Sequence, residues 1–140
     1  MSAYAGDLTP QQAWELLLSE PSAILVDVRT EPEWRFVGVP DTSATGREPV
    51  LIEWVSYPGG EHNARFLEQL HDAGIDPEMG APVLFLCRSG ARSISAASAA
   101  TAAGIGPAYN ILDGFEGSPD EHGHRGVQGW KASGLPWRQG

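Results

Sequence analysis

The chain is predicted to fold as a single α/β domain, a mainly parallel central sheet flanked by helices on both faces. Three observations lead there. Residues 23–28 and 82–86 are short, nearly continuous apolar runs, the pattern of strands covered on both sides. Stretches with helical spacing of their apolar residues alternate with such runs. At 140 residues and 41% hydrophobic composition, the chain is long enough for one proper core. No internal repeat or linker divides it, so residues 1–140 are read as one domain.

The elements follow in order. Thr9 reads as an N-cap, with Pro10 at the first helical position and Gln12 at the capping-box position. Ala13, Leu16 and Leu17 give that helix its apolar stripe, and Pro21 lies beyond its end. Residues 23–28 form a strand. Glu31, Pro32, Glu33, Trp34 and Arg35 suggest a brief helical turn, and residues 36–39 a second, shorter strand. A polar, turn-rich segment precedes a third strand over residues 50–54. Phe66, Leu67, Leu70 and Ala73 share one helical face, which Gly74 closes. After the strand over 83–86, residues 92–103 are mostly Ala and Ser, a helix able to lie close to a sheet, ended by Gly104. Residues 108–112 read as the last strand. Residues 114–129, glycine-rich and polar, read as an irregular loop, and a short helical segment over 127–133 leads to the tail.

Charge and cysteine content narrow the function. With 18 acidic and 9 basic residues, the formal charge of −9 argues against a general binder of nucleic acid or anionic membrane. A single cysteine rules out an internal disulfide framework, a Cys-rich zinc site and an in-chain resolving thiol, and it fits a reducing compartment. The first residues lack the basic region and apolar core of a signal peptide. No apolar run approaches the roughly 20 residues of a membrane span. The expectation is a soluble, cytoplasmic protein.

That one cysteine, Cys87, ends the apolar run Pro82-Val83-Leu84-Phe85-Leu86 and opens the segment Arg88-Ser89-Gly90-Ala91-Arg92-Ser93. In open α/β sheets, ligands bind beyond the carboxyl ends of strands, which is where Cys87 sits. Gly90 permits a tight backbone path, and small Ser89 and Ala91 leave room for the loop's N–H groups to converge on the sulfur. With a helix N-terminus and the cations Arg88 and Arg92 beside it, the thiol is placed to act as a thiolate nucleophile. The competing reading is an inert core cysteine. Arg92 follows Cys87 after four residues, one short of the spacing that lets a cysteine phosphatase encircle a tetrahedral phosphate. A cradle that small suits a single sulfur atom better.

Cys87-Arg88-Ser89-Gly90-Ala91-Arg92-Ser93 resembles the active-site loop of the rhodanese family of sulfurtransferases. Leu25-Val26-Asp27-Val28-Arg29, with Glu31 and Glu33-Trp34, is similar to the family's first-strand motif. Tyr109-Asn110-Ile111-Leu112-Asp113-Gly114-Phe115, with Trp130 and Gly134-Leu135-Pro136-Trp137, resembles its last strand and closing segment. The likeness covers about residues 24–137. Val37-Gly38-Val39-Pro40-Asp41 departs from the family's pattern in lacking a histidine, and the segment with Trp54 to Gly60 is particular to this chain.

The resemblance implies a rhodanese-like fold and a single-domain sulfurtransferase. Cys87 would take a sulfane sulfur from thiosulfate or a related persulfide donor and pass it, through a cysteine persulfide, to cyanide, a thiol or a thioredoxin-like acceptor. Residues Arg88, Ser89, Gly90, Ala91, Arg92 and Ser93 would hold the persulfide, and Arg88 and Arg92 would attract a small anionic donor. No cofactor beyond that covalent intermediate and no metal is implied. Asp27 and Arg29, at a buried strand end, are read as structural support near the site. His122 and His124 are read as solvated loop residues, and Trp34 and Trp54 as core or pocket wall. The alternative is a non-catalytic rhodanese-like module that docks a partner or senses redox or sulfide state.

Overall fold

The structure is a computed structural model that describes residues 4–55, 61–78, 80–88, 91–117 and 129–138. Five strands form the main sheet: β1 (Gly6–Leu8), β2 (Ile24–Asp27), β4 (Val50–Leu51), β5 (Val83–Leu86) and β6 (Ala108–Ile111). Their order is β1-β6-β5-β2-β4, and all four pairings are parallel. A separate antiparallel pair joins β3 (Val39–Pro40) to β7 (Trp137–Arg138). The helices are α1 (Pro10–Ser19), α2 (Glu31–Phe36), α3 (Phe66–Asp72) and α4 (Ala91–Ala102).

The apolar runs at 24–27 and 83–86 are the two inner strands, and every residue in them is buried. Alternate side chains feed two cores. On one face, Val26, Val83, Phe85 and Cys87 meet Phe66 and Leu70 of α3 and Ala96, Ala97 and Ala100 of α4. On the other, Leu25, Leu84, Leu86 and Ile111 meet Ala13 and Leu17 of α1 together with Phe115 and Trp130. Each buried Leu or Phe contributes about 1.5–3 kcal/mol relative to exposure, so these layers hold the sheet rigid. The α4 alanines have no bulk to keep the helix off the sheet. Ser98 and Thr101 satisfy their hydroxyls on the Ile94 and Ala97 carbonyls one turn back.

Thr9 and Gln12 form the expected reciprocal cap on α1. Three expectations are corrected. Phe36 closes α2 instead of opening a strand, and Val39–Pro40 belongs to the small antiparallel pair. The third strand is only Val50–Leu51, although the Ile52 and Trp54 N–H groups still bond the Asp27 and Val28 carbonyls. Residues 129–134 are a bend and successive turns, not a helix; residues 118–128, which hold most of the expected loop and the start of the expected helical segment, lie outside the described residues. The edge strand β1 and the closing strand β7 were not expected. Both are very short, and their pairing comes from distant segments that leave no periodicity to read.

Candidate active site

Strand β5 is the middle strand, and Cys87 is the first residue beyond its carboxyl end. From β2 the chain continues to the β4 edge, and from β5 it continues to β6 on the opposite side. The cysteine therefore sits where the order of the sheet reverses, the place where open α/β folds bind ligands. Helix α4 begins four residues later. Cys87 itself is 1% exposed.

The sulfur lies 3.3 Å from the Ser93 hydroxyl. Ser93 is fully buried. It donates to Oδ1 of Asn110 on β6, and Asn110 Nδ2 donates 3.0 Å to the Asp7 carboxylate on β1. Asn110 is also fully buried. Sequence reading put Asn110 inside a motif but gave it no role. The signal available was an amide among the apolar residues of a covered strand.

Arg92 is on the first turn of α4, and its two terminal nitrogens donate to the two oxygens of Glu33 at 2.8 and 3.0 Å. Glu33 also accepts the Thr30 backbone N–H and hydroxyl, one half of a capping box at the start of α2. Burial works against the Glu33 charge, but the Arg92 hydrogen bonds and charge, joined by Thr30, outweigh it and hold its pKa below the ordinary range. Burial likewise opposes the Arg92 charge. Glu33, with Cys87 and Asp27 nearby, more than offsets that and raises its pKa. Arg88, nearly half exposed, meets Glu116 at 3.3 Å. Each loop arginine thus has a carboxylate partner, which sequence reading did not foresee. The clue to Glu33 was the Thr-x-x-Glu spacing at residues 30–33.

Asp27 and Arg29 form a fully buried pair, Nε and Nη2 of the guanidinium bonding both carboxylate oxygens. Nη2 also donates 2.7 Å to the Gly38 carbonyl, and the guanidinium lies 4.2 Å over the Phe115 ring. The pair ties the end of β2 to the turn before β3 and to the loop after β6. That loop comes close to the cysteine: Phe115 N–H bonds the Cys87 carbonyl at 2.8 Å, and Glu116 N–H bonds that of Arg88 at 3.0 Å. Gly114, at φ +59°, leaves no room for a Cβ, which would meet the Arg88 carbonyl carbon at 2.6 Å.

Ser89 and Gly90 lie outside the described residues, as do His122 and His124, and Ala91 is placed only as the first residue of α4. Trp54 packs on Phe66 and His62, within the layer above α3. Trp34 lines a surface groove with Glu31, Leu51 and Glu53, and neither Cys87 nor Arg92 is part of that lining. Among the described residues, no helix is long and apolar enough to cross a membrane.

Comparison with known proteins agrees with this architecture. The model of the STR4 middle domain matches residues 6–140. The crystal structure of Rv0390 from M. tuberculosis superposes with a TM-score of 0.88, at 61% identity, covering 98% of this chain and 99% of that one. The polysulfide-sulfur transferase of Wolinella succinogenes gives a TM-score of 0.64 at 25% identity, covering 96% of this chain and 78% of that one. A Rickettsia conorii protein, RC0915, is 38% identical over 91% of this chain and 92% of its own length. A rice chloroplastic protein named thylakoid rhodanese-like is 31% identical over 94% of this chain, which spans a quarter of that longer protein. The chain belongs to the STR4 middle-domain family, with a rhodanese-like α/β fold.

Proposed function

We propose that this protein is a sulfurtransferase of rhodanese type whose nucleophile is Cys87. The observation that carries the reading is the position of the thiol: at the carboxyl end of the middle parallel strand, one short turn before a 12-residue helix, with Arg92 beside it. A helix N-terminus and a guanidinium both favour the sulfur anion.

In the first step the Cys87 thiolate attacks the outer sulfur of thiosulfate. A new S–S bond forms, the donor's S–S bond breaks, and sulfite leaves with the electron pair. In the second step cyanide attacks the outer sulfur of the persulfide. The bond to Sγ breaks, thiocyanate departs, and the Cys87 thiolate is restored. A thiol or thioredoxin-like acceptor would leave as its own persulfide by the same displacement. No bound cofactor is needed, because the enzyme carries the sulfur itself.

Arg88 is the more exposed of the two loop cations and is the one offered to an anionic donor. Arg92 is engaged by Glu33 and is better suited to holding the start of α4 in place. The Wolinella relative's title makes polysulfide the natural competitor to thiosulfate as donor. The experiment is steady-state turnover with cyanide, using thiosulfate and polysulfide in parallel. Thiocyanate formation lost in Cys87→Ser supports the reading, and equal turnover by that variant refutes it.

A second reading rests on the burial of Cys87 at 1% exposure. It is a module of the same fold that docks a partner or senses sulfide without turnover. Absence of thiocyanate from every donor, in a folded protein, would favour it.

A further inference from the structure

Strand β4 is an edge of the main sheet, and its pairing with β2 decides which of its backbone groups face outward. Ile52 N–H bonds the Asp27 carbonyl, and Leu51 is the residue in register with Asp27. In a parallel ladder, that register turns the N–H and C=O of Leu51 away from β2. Glu53 N–H faces the same way, whereas the Glu53 carbonyl is closed off by Asn63 Nδ2 at 2.7 Å. Among the described residues, no strand pairs with β4 on this side. A groove with two lobes runs along the edge. The first, of about 590 Å³, lies toward α3, which packs on the sheet face that holds Val50, and Glu31, Glu53, Gln69 and Asp72 line it. The second, of about 500 Å³, lies toward the β3–β7 pair, with Arg35, Val39 and Arg138 in its wall. Trp34 and Leu51 border both. The lobes differ in charge. Among the described residues, the α3 lobe is lined by three carboxylates and by no lysine or arginine; Glu31 bonds Arg35, so Glu53 and Asp72 set its sign. In the second lobe Arg35 and Arg138 already hold Glu31 and Glu48, and Trp34, Val39 and Leu51 supply an apolar wall.

We propose that the β4 edge is a docking site for an extended segment of a partner protein in which basic and apolar residues alternate. The segment adds a strand to the sheet. Its backbone bonds the outward groups of Leu51 and Glu53, and its alternate side chains enter opposite lobes. Lysines or arginines on one side meet Glu53 and Asp72. Apolar side chains on the other meet Trp34, Val39 and the Leu51 side chain, which is 41% exposed. Open edge strands are ordinarily guarded by charge against chance pairing. Here the guarding charges on the α3 side are negative, so they repel acidic chains and admit a basic one. A second copy of this protein is a poor occupant, because its net charge is −9 and its own β4 would bring a second set of the same carboxylates into the groove. The proposal goes beyond the sulfurtransferase reading and does not depend on Cys87. Helix α2 joins the two places, since it carries Glu31 and Trp34 in the groove and Glu33 on Arg92.

The test is fluorescence anisotropy of a labelled, end-blocked octapeptide alternating lysine and valine, titrated with the full chain. Saturable binding in the tens of micromolar is expected, weakening as salt is added. Asp72→Lys reverses one charge of the α3 lobe at the last residue of α3, where a lysine also suits the helix C-terminus, and is expected to weaken binding about tenfold. Leu51→Pro deletes the outward N–H without removing a bond to β2, and a similar loss is expected. Methylation of the peptide backbone gives a test that leaves the protein unchanged. Alternate N–H groups of a strand face opposite ways, so methylating the valines alone or the lysines alone should abolish binding in one case and spare it in the other. Absence of saturable binding to the folded protein overturns the proposal. Equal binding of a peptide alternating glutamate and valine, or equal losses from the two methylation patterns, overturns it as well. So does a dimer in sedimentation equilibrium that Leu51→Pro dissolves, since the edge would then belong to a second copy.

Discussion

Glu33 grips Arg92 by both terminal nitrogens, joining the helix that follows the cysteine to the helix that follows the first core strand. A forked ion pair of this kind fixes orientation as well as distance. The carboxylate that does this also caps its own helix through Thr30. One side chain therefore sets the positions of two elements at the mouth of the site.

Glu33→Gln leaves the partly buried Arg92 with a neutral partner and is expected to cost about 1–3 kcal/mol. The pH dependence follows from the lowered Glu33 pKa. Its contribution to stability is fully present above the ordinary carboxylate value near 4.5 and is lost as pH falls through the lower folded value. Chemical denaturation at a series of pH values checks this. The gap between wild type and Glu33→Gln should be steady from neutral pH to about pH 5 and close in stronger acid.

The two loop arginines should separate kinetically. Arg88→Ala is expected to raise KM for thiosulfate roughly threefold, with less effect on a neutral persulfide donor and none on kcat, and the difference should fade at high salt. Arg92→Ala is expected to lower kcat for both donors, because it frees the start of α4. Steady-state kinetics with the two donors distinguishes the roles. Identical profiles for the two variants would contradict the assignment.

Gly114 and Gly46 make a matched pair. Both have positive φ, but a Cβ at Gly46 meets nothing within 4 Å whereas one at Gly114 meets the backbone of Cys87 and Arg88. Gly46→Ala is expected to cost only the backbone term, about 1 kcal/mol. Gly114→Ala should cost more than that and should lower sulfur transfer as well, by moving the chain on either side of the sulfur. Thermal denaturation and turnover of the two variants test this.

The buried pair gives the largest expected stability effect. Asp27→Asn or Arg29→Met removes one charge and leaves the other uncompensated in a site with no exposure. The expected loss is about 3–5 kcal/mol, measured by urea denaturation. Arg29→Lys is not a rescue, because an ammonium cannot bond both carboxylate oxygens and the Gly38 carbonyl in the same plane.

The inner strands were legible because burial on both faces demands unbroken apolar runs, and α1 because Thr9, Pro10 and Gln12 spell out its start. The cysteine's place at a strand end followed from the same pattern. What sequence did not reveal were partners from afar. Nothing near residue 33 announces Arg92, and nothing near residue 7 announces Asn110. The edge strand β1 exists only because β6 is there to pair with it. The loop arginines read as bare cations because charge along a sequence shows each group and not the carboxylate that folding brings to it.

The central claim is that Cys87 carries a sulfur atom during turnover. Intact mass measurement after brief incubation with thiosulfate and removal of excess donor addresses it directly. The account predicts a gain of one sulfur atom, absent from Cys87→Ser and erased by cyanide. An unchanged mass in the folded wild-type protein with every sulfane donor, or the same gain in Cys87→Ser, would contradict it.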